Sequence, residues 1–66
     1  MDSKALGVKL KTLRLKNGFS QDELAATAGV SLRTVQRFEN SEAIPRMDTV
    51  KRIFQVFYFF KINFLR

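Results

Sequence analysis

Residues 20–40 read SQDELAATAGVSLRTVQRFEN, and this stretch decides the fold of the chain. Ser20, followed three residues later by Glu23, is the pattern of a capping box and predicts that a helix begins here. Gly29 can adopt the positive φ of a sharp turn at little steric cost, and Ser31 is a good N-cap for a second helix. The stretch therefore predicts two short helices joined by a tight glycine turn.

The second of these helices has two different faces. Val35 and Phe38 lie three residues apart and are predicted to face inward. The other arc is occupied by Leu32, Arg33, Gln36 and Arg37. The arginine and glutamine side chains suit the edges of DNA bases, because arginine bonds the acceptors of guanine and glutamine pairs with adenine. A solvated polar face is the alternative, since most surface helices have one. The capped partner helix and the glycine turn favour DNA readout over that alternative.

Composition limits the classes of protein to consider. The chain has 66 residues and a net charge of +6, which predicts one domain over residues 1–66 with a basic surface. The absence of cysteine predicts a reducing compartment, and neither a signal peptide nor a membrane span is expected. Histidine is also absent, and no phosphate-binding glycine loop or metal-ligand cluster occurs. The sequence therefore argues against an enzyme and predicts no cofactor and no metal.

Further helices are predicted on both sides of this pair. Leu6, Leu10 and Leu13 are spaced as one buried stripe of a first helix with a lysine-rich exterior, which Gly18 ends. That exterior serves either solubility or the attraction of phosphates. A last helix is predicted to begin near residues 47–48, and four of its apolar residues are spaced to close the core: Val50, Ile53, Phe54 and Phe57.

The order and spacing of these motifs resemble the lambda-repressor-like (Cro/repressor, or XRE) helix-turn-helix family. The resemblance covers roughly residues 5–57, from LGVKLKTLR through GFSQDELAATAGVSLRTVQRFEN to IPRMDTVKRI. It implies an all-α fold, a compact bundle of four to five short helices with the helix-turn-helix at helices 2 and 3. It also implies binding to operator DNA, usually as a symmetric dimer.

The resemblance further implies which residues contact DNA. Gln21 opens the first helix of the motif, where the family commonly contacts a phosphate, and Asn40 ends the second helix, another frequent phosphate contact. Arg46 matches a loop position that can approach the backbone or the minor groove. Five residues match positions that read bases or flanking phosphates: Ser31, Leu32, Arg33, Gln36 and Arg37.

Two of the matched positions have other readings. Leu32 is apolar, so it could touch a thymine methyl group instead of making hydrogen bonds. Arg14 and Glu39 match a pair that forms a salt bridge between the first and third helices in some members of the family. We expect that pair to be structural and to have no direct role in DNA contact.

The sequence departs from the family pattern at residues 58–66, which read YFFKINFLR. The apolar residues could complete the core and form a dimer surface, because exposed aromatic patches mark interfaces. They could instead form a strand that pairs across a dimer, since apolar and polar residues alternate over residues 60–64. A sticky or membrane-touching tail is the third interpretation, although the segment is too short and too interrupted by Lys61 to span a bilayer.

Two functions follow from these patterns. The leading hypothesis is a sequence-specific regulator, a repressor that binds double-stranded DNA as a homodimer at a pseudo-palindromic operator with helix 3 in the major groove. Such a protein is expected in the cytoplasm, associated with a bacterial or phage nucleoid, with no membrane partner. The alternative is an antitoxin-like or other protein-interaction module, whose protein partner binds the aromatic C-terminal segment.

Overall fold

The protein is all-α, as the sequence predicts, in a computed structural model that describes the backbone of residues 3–64 and the side chains of residues 4–58. Four helices and no strand occur over these residues. The helices are α1 (Ser3–Lys16), α2 (Gln21–Ala28), α3 (Leu32–Glu39) and α4 (Met47–Phe64). Helices α2 and α3 are the predicted helix-turn-helix pair.

The starts of α2 and α3 are fixed by the predicted serine caps. Ser20 Oγ accepts the amide of Glu23 at 3.0 Å, and the Glu23 carboxylate accepts the amide of Ser20 at 2.8 Å, which completes the capping box. Hydrogen bonds with Ser20 hold the pKa of Glu23 below its usual value. The bond from the Ser20 amide has the larger effect and the bond with the Ser20 hydroxyl the smaller. Ser31 Oγ accepts the amide of Thr34 at 3.1 Å and caps α3 in the same way.

The first three helices end in one backbone motif, in which a residue with positive φ reverses the chain. Gly18 (φ 76°) ends α1 and Gly29 (φ 72°) ends α2, as predicted. The amides of the next residues, Phe19 and Val30, bond carbonyls five residues earlier, and their side chains pack against the core. At the end of α3 the corresponding position is Ser41 (φ 62°), where a Cβ makes this conformation costly.

The core lies where the four helices meet. Over residues 4–58, whose side chains are described, the largest wholly buried side chains come from every helix: Leu10, Leu24, Val35, Phe38 and Ile53. Among the described side chains, edge-to-face aromatic pairs extend the core, with ring centroids 5.8 Å apart for Phe19 and Phe57 and 6.1 Å apart for Phe38 and Phe54. The inward face predicted for α3 and the predicted core positions of α4 are confirmed, with Phe54 only half-buried.

Helix α1 crosses α3 at very short range, a feature that no sequence pattern pointed to. A Cβ built on Gly7 would lie 2.5 Å from the carbonyl oxygen of Phe38 and 3.2 Å from that of Glu39. Because glycine has no side chain, it lets the two backbones approach this closely. Gly7 therefore sets the distance between α1 and the end of α3.

The strand interpretation of residues 60–64 is wrong. Helix α4 runs for 18 residues to Phe64, because neither glycine nor proline interrupts it and backbone bonding continues. The side chains from residue 59 onward lie outside the described residues, so the dimer surface expected there stays a prediction. Within the described part of the chain, no helix is long and apolar enough to cross a bilayer.

Candidate nucleic-acid interface

Helix α3 presents a polar arc to solvent while its opposite face is anchored in the core. Val35 and Phe38 have no exposed surface. Arg33, Gln36 and Arg37 are all exposed, on the arc that the sequence assigned to them. With 3.6 residues per turn, positions 33, 36 and 37 share one side of the helix. The arrangement leaves two guanidinium groups and an amide facing outward from a rigid support.

The beginning of α2 and the outer arc of α3 form one shallow, open concavity. Its walls are mostly polar, and its lining residues are Gln21, Arg33, Gln36, Arg37, Asn40 and Glu42. All of them except Glu42 were predicted as DNA contacts. The structure therefore brings together five predicted residues from two helices and from the end of the second.

A second concavity lies beside the first, between α3 and the loop that follows it. Its lining residues are Ser31, Arg33, Thr34, Arg37, Ala43 and Pro45. Arg33 and Arg37 line both concavities, so they stand between them. Sequence reasoning did not propose the loop residues of this wall, because a loop has no periodicity that shows which side it faces.

Ser31 and Leu32 have structural roles as well as their predicted one. The Ser31 hydroxyl caps α3 and also bonds Thr34 Oγ1 at 2.8 Å. Leu32 is half-buried and packs against the core, so only part of its side chain remains to meet a ligand. These two residues lie at the edge of the polar arc and not at its centre.

Arg46 lies apart from both concavities, at the end of the loop before α4. Its side chain is 88% exposed, and its Nε is 3.8 Å from Asp48 Oδ1. An exposed pair at this distance contributes little to stability. The Arg46 side chain is therefore held only weakly. It directly follows Pro45, which lines the second concavity.

A buried ion pair supports the interface from below, and it confirms the salt bridge that the resemblance implied. Arg14 Nε lies 2.6 Å from Glu39 Oε2, and Arg14 Nη2 donates to Glu39 Oε1 at 3.1 Å. Arg14 Nη1 also donates to the Phe19 carbonyl at 2.9 Å. The Glu39 side chain is only 1% exposed, so this pair joins α1, the turn after it and the end of α3.

Gln21 belongs to this buried network as well as to the surface. Its Nε2 donates to Glu39 Oε1 at 3.1 Å, and its side chain lines the polar concavity. The sequence placed Gln21 at the start of α2 but gave no sign of the partner, which is 18 residues away along the chain.

The chemistry of this surface suits anion and base-edge contact. Arg33 and Arg37 supply positive charge and forked donors for phosphates or guanine, and Arg46 adds an exposed positive charge outside the two concavities. Gln36 supplies both a donor and an acceptor, as adenine requires. Among the described residues, no group of three or more histidine, cysteine, aspartate or glutamate side chains could hold a metal ion.

Comparison with known proteins gives results that agree with this geometry. A family model described as helix-turn-helix matches residues 10–57 of the chain. A relative from Pyrococcus furiosus is 41% identical over 51 residues, and relatives from Pyrococcus horikoshii and Pyrococcus abyssi are each 39% identical over 51 residues. All three are named as candidate HTH-type transcriptional regulatory proteins. The match covers 77% of this chain but only 16% of each relative. No solved structure matches the chain significantly.

Proposed function

The chain belongs to the lambda-repressor-like (Cro/repressor, XRE) helix-turn-helix family, and on that premise we propose that it regulates transcription by sequence-specific binding to DNA, with α3 in the major groove. One observation carries the proposal: Arg33, Gln36 and Arg37 are exposed on a helix whose other face is anchored by wholly buried Val35 and Phe38. A rigid helix with an outward polar arc can hold side chains against base edges without first becoming ordered.

The exposed side chains divide between two tasks in this proposal. Those of the central arc read bases, with Arg33 and Arg37 on guanines and Gln36 on an adenine. Those at the margins, Gln21 and Asn40, position the helix by bonding phosphates. Three further residues complete the proposed contact set at its edges: Ser31, Leu32 and Arg46.

We propose a homodimer as the active form, acting as a repressor at a pseudo-palindromic operator. Helix α3 has eight residues and is therefore about 12 Å long, which spans roughly three to four base pairs. Because α3 contacts so few base pairs, a single copy of the protein has limited selectivity for DNA sequence. Two copies related by two-fold symmetry double the contacted sequence and place the half-sites about 34 Å apart.

The proposed ligand also implies where the protein acts. A protein that binds operator DNA acts where the genome lies, which in a cell without a nucleus is the cytoplasm. The relatives are archaeal, so the bacterial or phage setting expected from the sequence stays a prediction.

A protein-interaction module is the second candidate, and an apolar groove between α1 and the start of α4 favours it. Its lining is largely apolar and includes Ile44, 42% exposed, and Met47, 58% exposed. An antitoxin-like protein would bind its partner through such a surface or through the aromatic C-terminal segment. The two candidates differ in one observation, which is whether the purified chain alone shifts DNA in a sequence-selective way.

Selection of binding sites from random DNA, followed by affinity measurements over a range of salt, tests the proposal. Arg37→Ala is expected to cost about 1–3 kcal/mol on the selected site and to relax base preference at one position. Arg52→Ala removes the same charge from α4, outside both concavities, and serves as the control. Equal losses of affinity on selected and random DNA would show that Arg37 contacts a phosphate and does not read a base. Failure to enrich any sequence would refute the proposed function.

A further inference from the structure

We propose that Glu39 is a positioning residue for DNA binding, whose buried carboxylate orients the side-chain amide of Gln21 towards a phosphate. The inference rests on the function proposed above and deepens it. It starts from a contrast within one residue: Gln21 lines the polar concavity, yet its amide nitrogen bonds a carboxylate that is almost wholly buried.

The carboxylate of Glu39 has no freedom to turn. Its Oε2 accepts Arg14 Nε at 2.6 Å, and its Oε1 accepts both Arg14 Nη2 and Gln21 Nε2 at 3.1 Å. Arg14 is itself held by the Phe19 carbonyl. Rotation of Glu39 would break three charge-assisted bonds in a site closed to water, so the carboxylate is a fixed acceptor.

A fixed acceptor decides which way round the Gln21 amide lies. An ionised carboxylate can only accept hydrogen bonds, so the amide nitrogen must face Glu39, and a flipped amide would set two oxygens against each other. The same nitrogen carries a second N–H. Since Gln21 forms part of the concavity wall beside Arg33 and Arg37, this second donor is available to an anion bound there.

A phosphate oxygen needs a donor, and a free glutamine would have to order three side-chain torsions and choose one amide orientation on binding. The bond to Glu39 fixes both the side-chain torsions and the amide orientation of Gln21 in the unbound protein. This reduces the entropy cost of ordering Gln21 when DNA binds. Arg14 makes this arrangement tolerable beside DNA, because its guanidinium balances the negative charge of Glu39 and leaves no net charge to repel the phosphate.

The first test is made on the unaltered protein. In a spectrum of the ¹⁵N-labelled chain, the side-chain amide signals of Gln21 are assigned by their loss in Gln21→Met. One amide proton is expected to be shifted downfield and protected from exchange with solvent, as a bond to a carboxylate requires. Gln21 signals at the positions of a solvent-exposed glutamine would overturn the inference without any further variant.

The second test separates positioning from stability. Loss of Glu39 alone would leave Arg14 buried and unpaired, so both are replaced together in Arg14→Met/Glu39→Met, because an apolar pair often preserves the stability of a buried ion pair. DNA affinity on the selected site is then measured for the wild type, this double variant, Gln21→Met and the triple variant. Unfolding midpoints of all four confirm that the folded protein is being compared.

We expect Gln21→Met and the double variant each to weaken binding by about 5–10-fold, with the triple variant no weaker than the double. Neither variant should change the salt dependence, because Gln21 is neutral and the replaced Arg14–Glu39 pair carries no net charge. Losses that multiply in the triple variant would show that Glu39 does not act through Gln21. A wild type without sequence-selective binding would instead refute the proposed function, an outcome that these variants cannot imitate.

Discussion

The substitution Gly7→Ala tests how closely α1 approaches α3, because it adds a methyl group where the two helices cross. The Cβ of Gly7→Ala would lie 2.5 Å from the Phe38 carbonyl oxygen, 3.1 Å from Ser41 Oγ and 3.2 Å from the Glu39 carbonyl oxygen. Real Cβ atoms essentially never show contacts under 3.0 Å, and two of these three neighbours are backbone atoms that cannot rotate aside. Helix α1 must therefore withdraw from α3 by at least about 0.5 Å, a displacement that tightly packed interiors resist.

Two effects of opposite sign decide the result. Alanine favours a helix over glycine by about 1 kcal/mol. Overpacking costs about 1–3 kcal/mol, and the backbone neighbours place Gly7→Ala in the upper part of that range. The net expectation is a loss of about 1–2 kcal/mol in the free energy of unfolding. For a domain of this size that corresponds to a fall of roughly 5–15 °C in the melting temperature.

Thermal unfolding followed by circular dichroism measures this change. Ala5→Gly, at an exposed position of the same helix, isolates the propensity effect and is expected to lose about 0.5–1 kcal/mol. A Gly7→Ala protein that melts at or above the wild-type temperature would refute the close crossing of α1 and α3. It would also mean that α1 does not hold the end of α3 in place.

Two further predictions concern helix ends. Ser41→Gly is expected to raise the free energy of unfolding in urea by about 0.5–1 kcal/mol, because φ is 62° there and glycine adopts it without strain; unchanged or lower stability would contradict the left-handed geometry. The Ser20 bonds depress the pKa of Glu23 in the folded state, so the unfolded chain binds more protons as the pH falls. The stabilisation is therefore complete above the ordinary glutamate pKa of about 4.3 and is lost as the pH falls below it. The difference in melting temperature between the wild type and Glu23→Gln should shrink over that range, and a difference independent of pH would contradict this role for the capping box.

The helix-turn-helix was predictable because its signals are local. Ser20, Glu23, Gly29 and Ser31 act within one turn of chain through caps and positive φ, and no distant residue is needed to recognise them. The same holds for the inward and outward arcs of α3, which follow from helical periodicity. The exposed arginines of the candidate interface could therefore be named from the sequence, although their contact with DNA stays a prediction.

The end of the chain shows where local patterns were not sufficient. Alternation over residues 60–64 suggested a strand, but a strand needs a partner whereas a helix already under way needs only the next residue. Leu32 gives a second case, since its outward position on a helical wheel did not show that it packs against the core. In both, the neighbouring structure and not the residue type decided the outcome.

The amino-acid sequence by itself determined where α1 ends, where α2 begins and ends, where α3 begins and which face of α3 is polar, since those properties depend on residues within a few positions of each other. Only the tertiary structure decided that Gly7 meets the end of α3 and that Gln21 joins the ion pair of Glu39 with Arg14. These contacts join residues 18 or more positions apart, and which side chains meet at such separations depends on how the helices cross. The crossing is set by the packing of the whole core, which no single stretch of sequence contains.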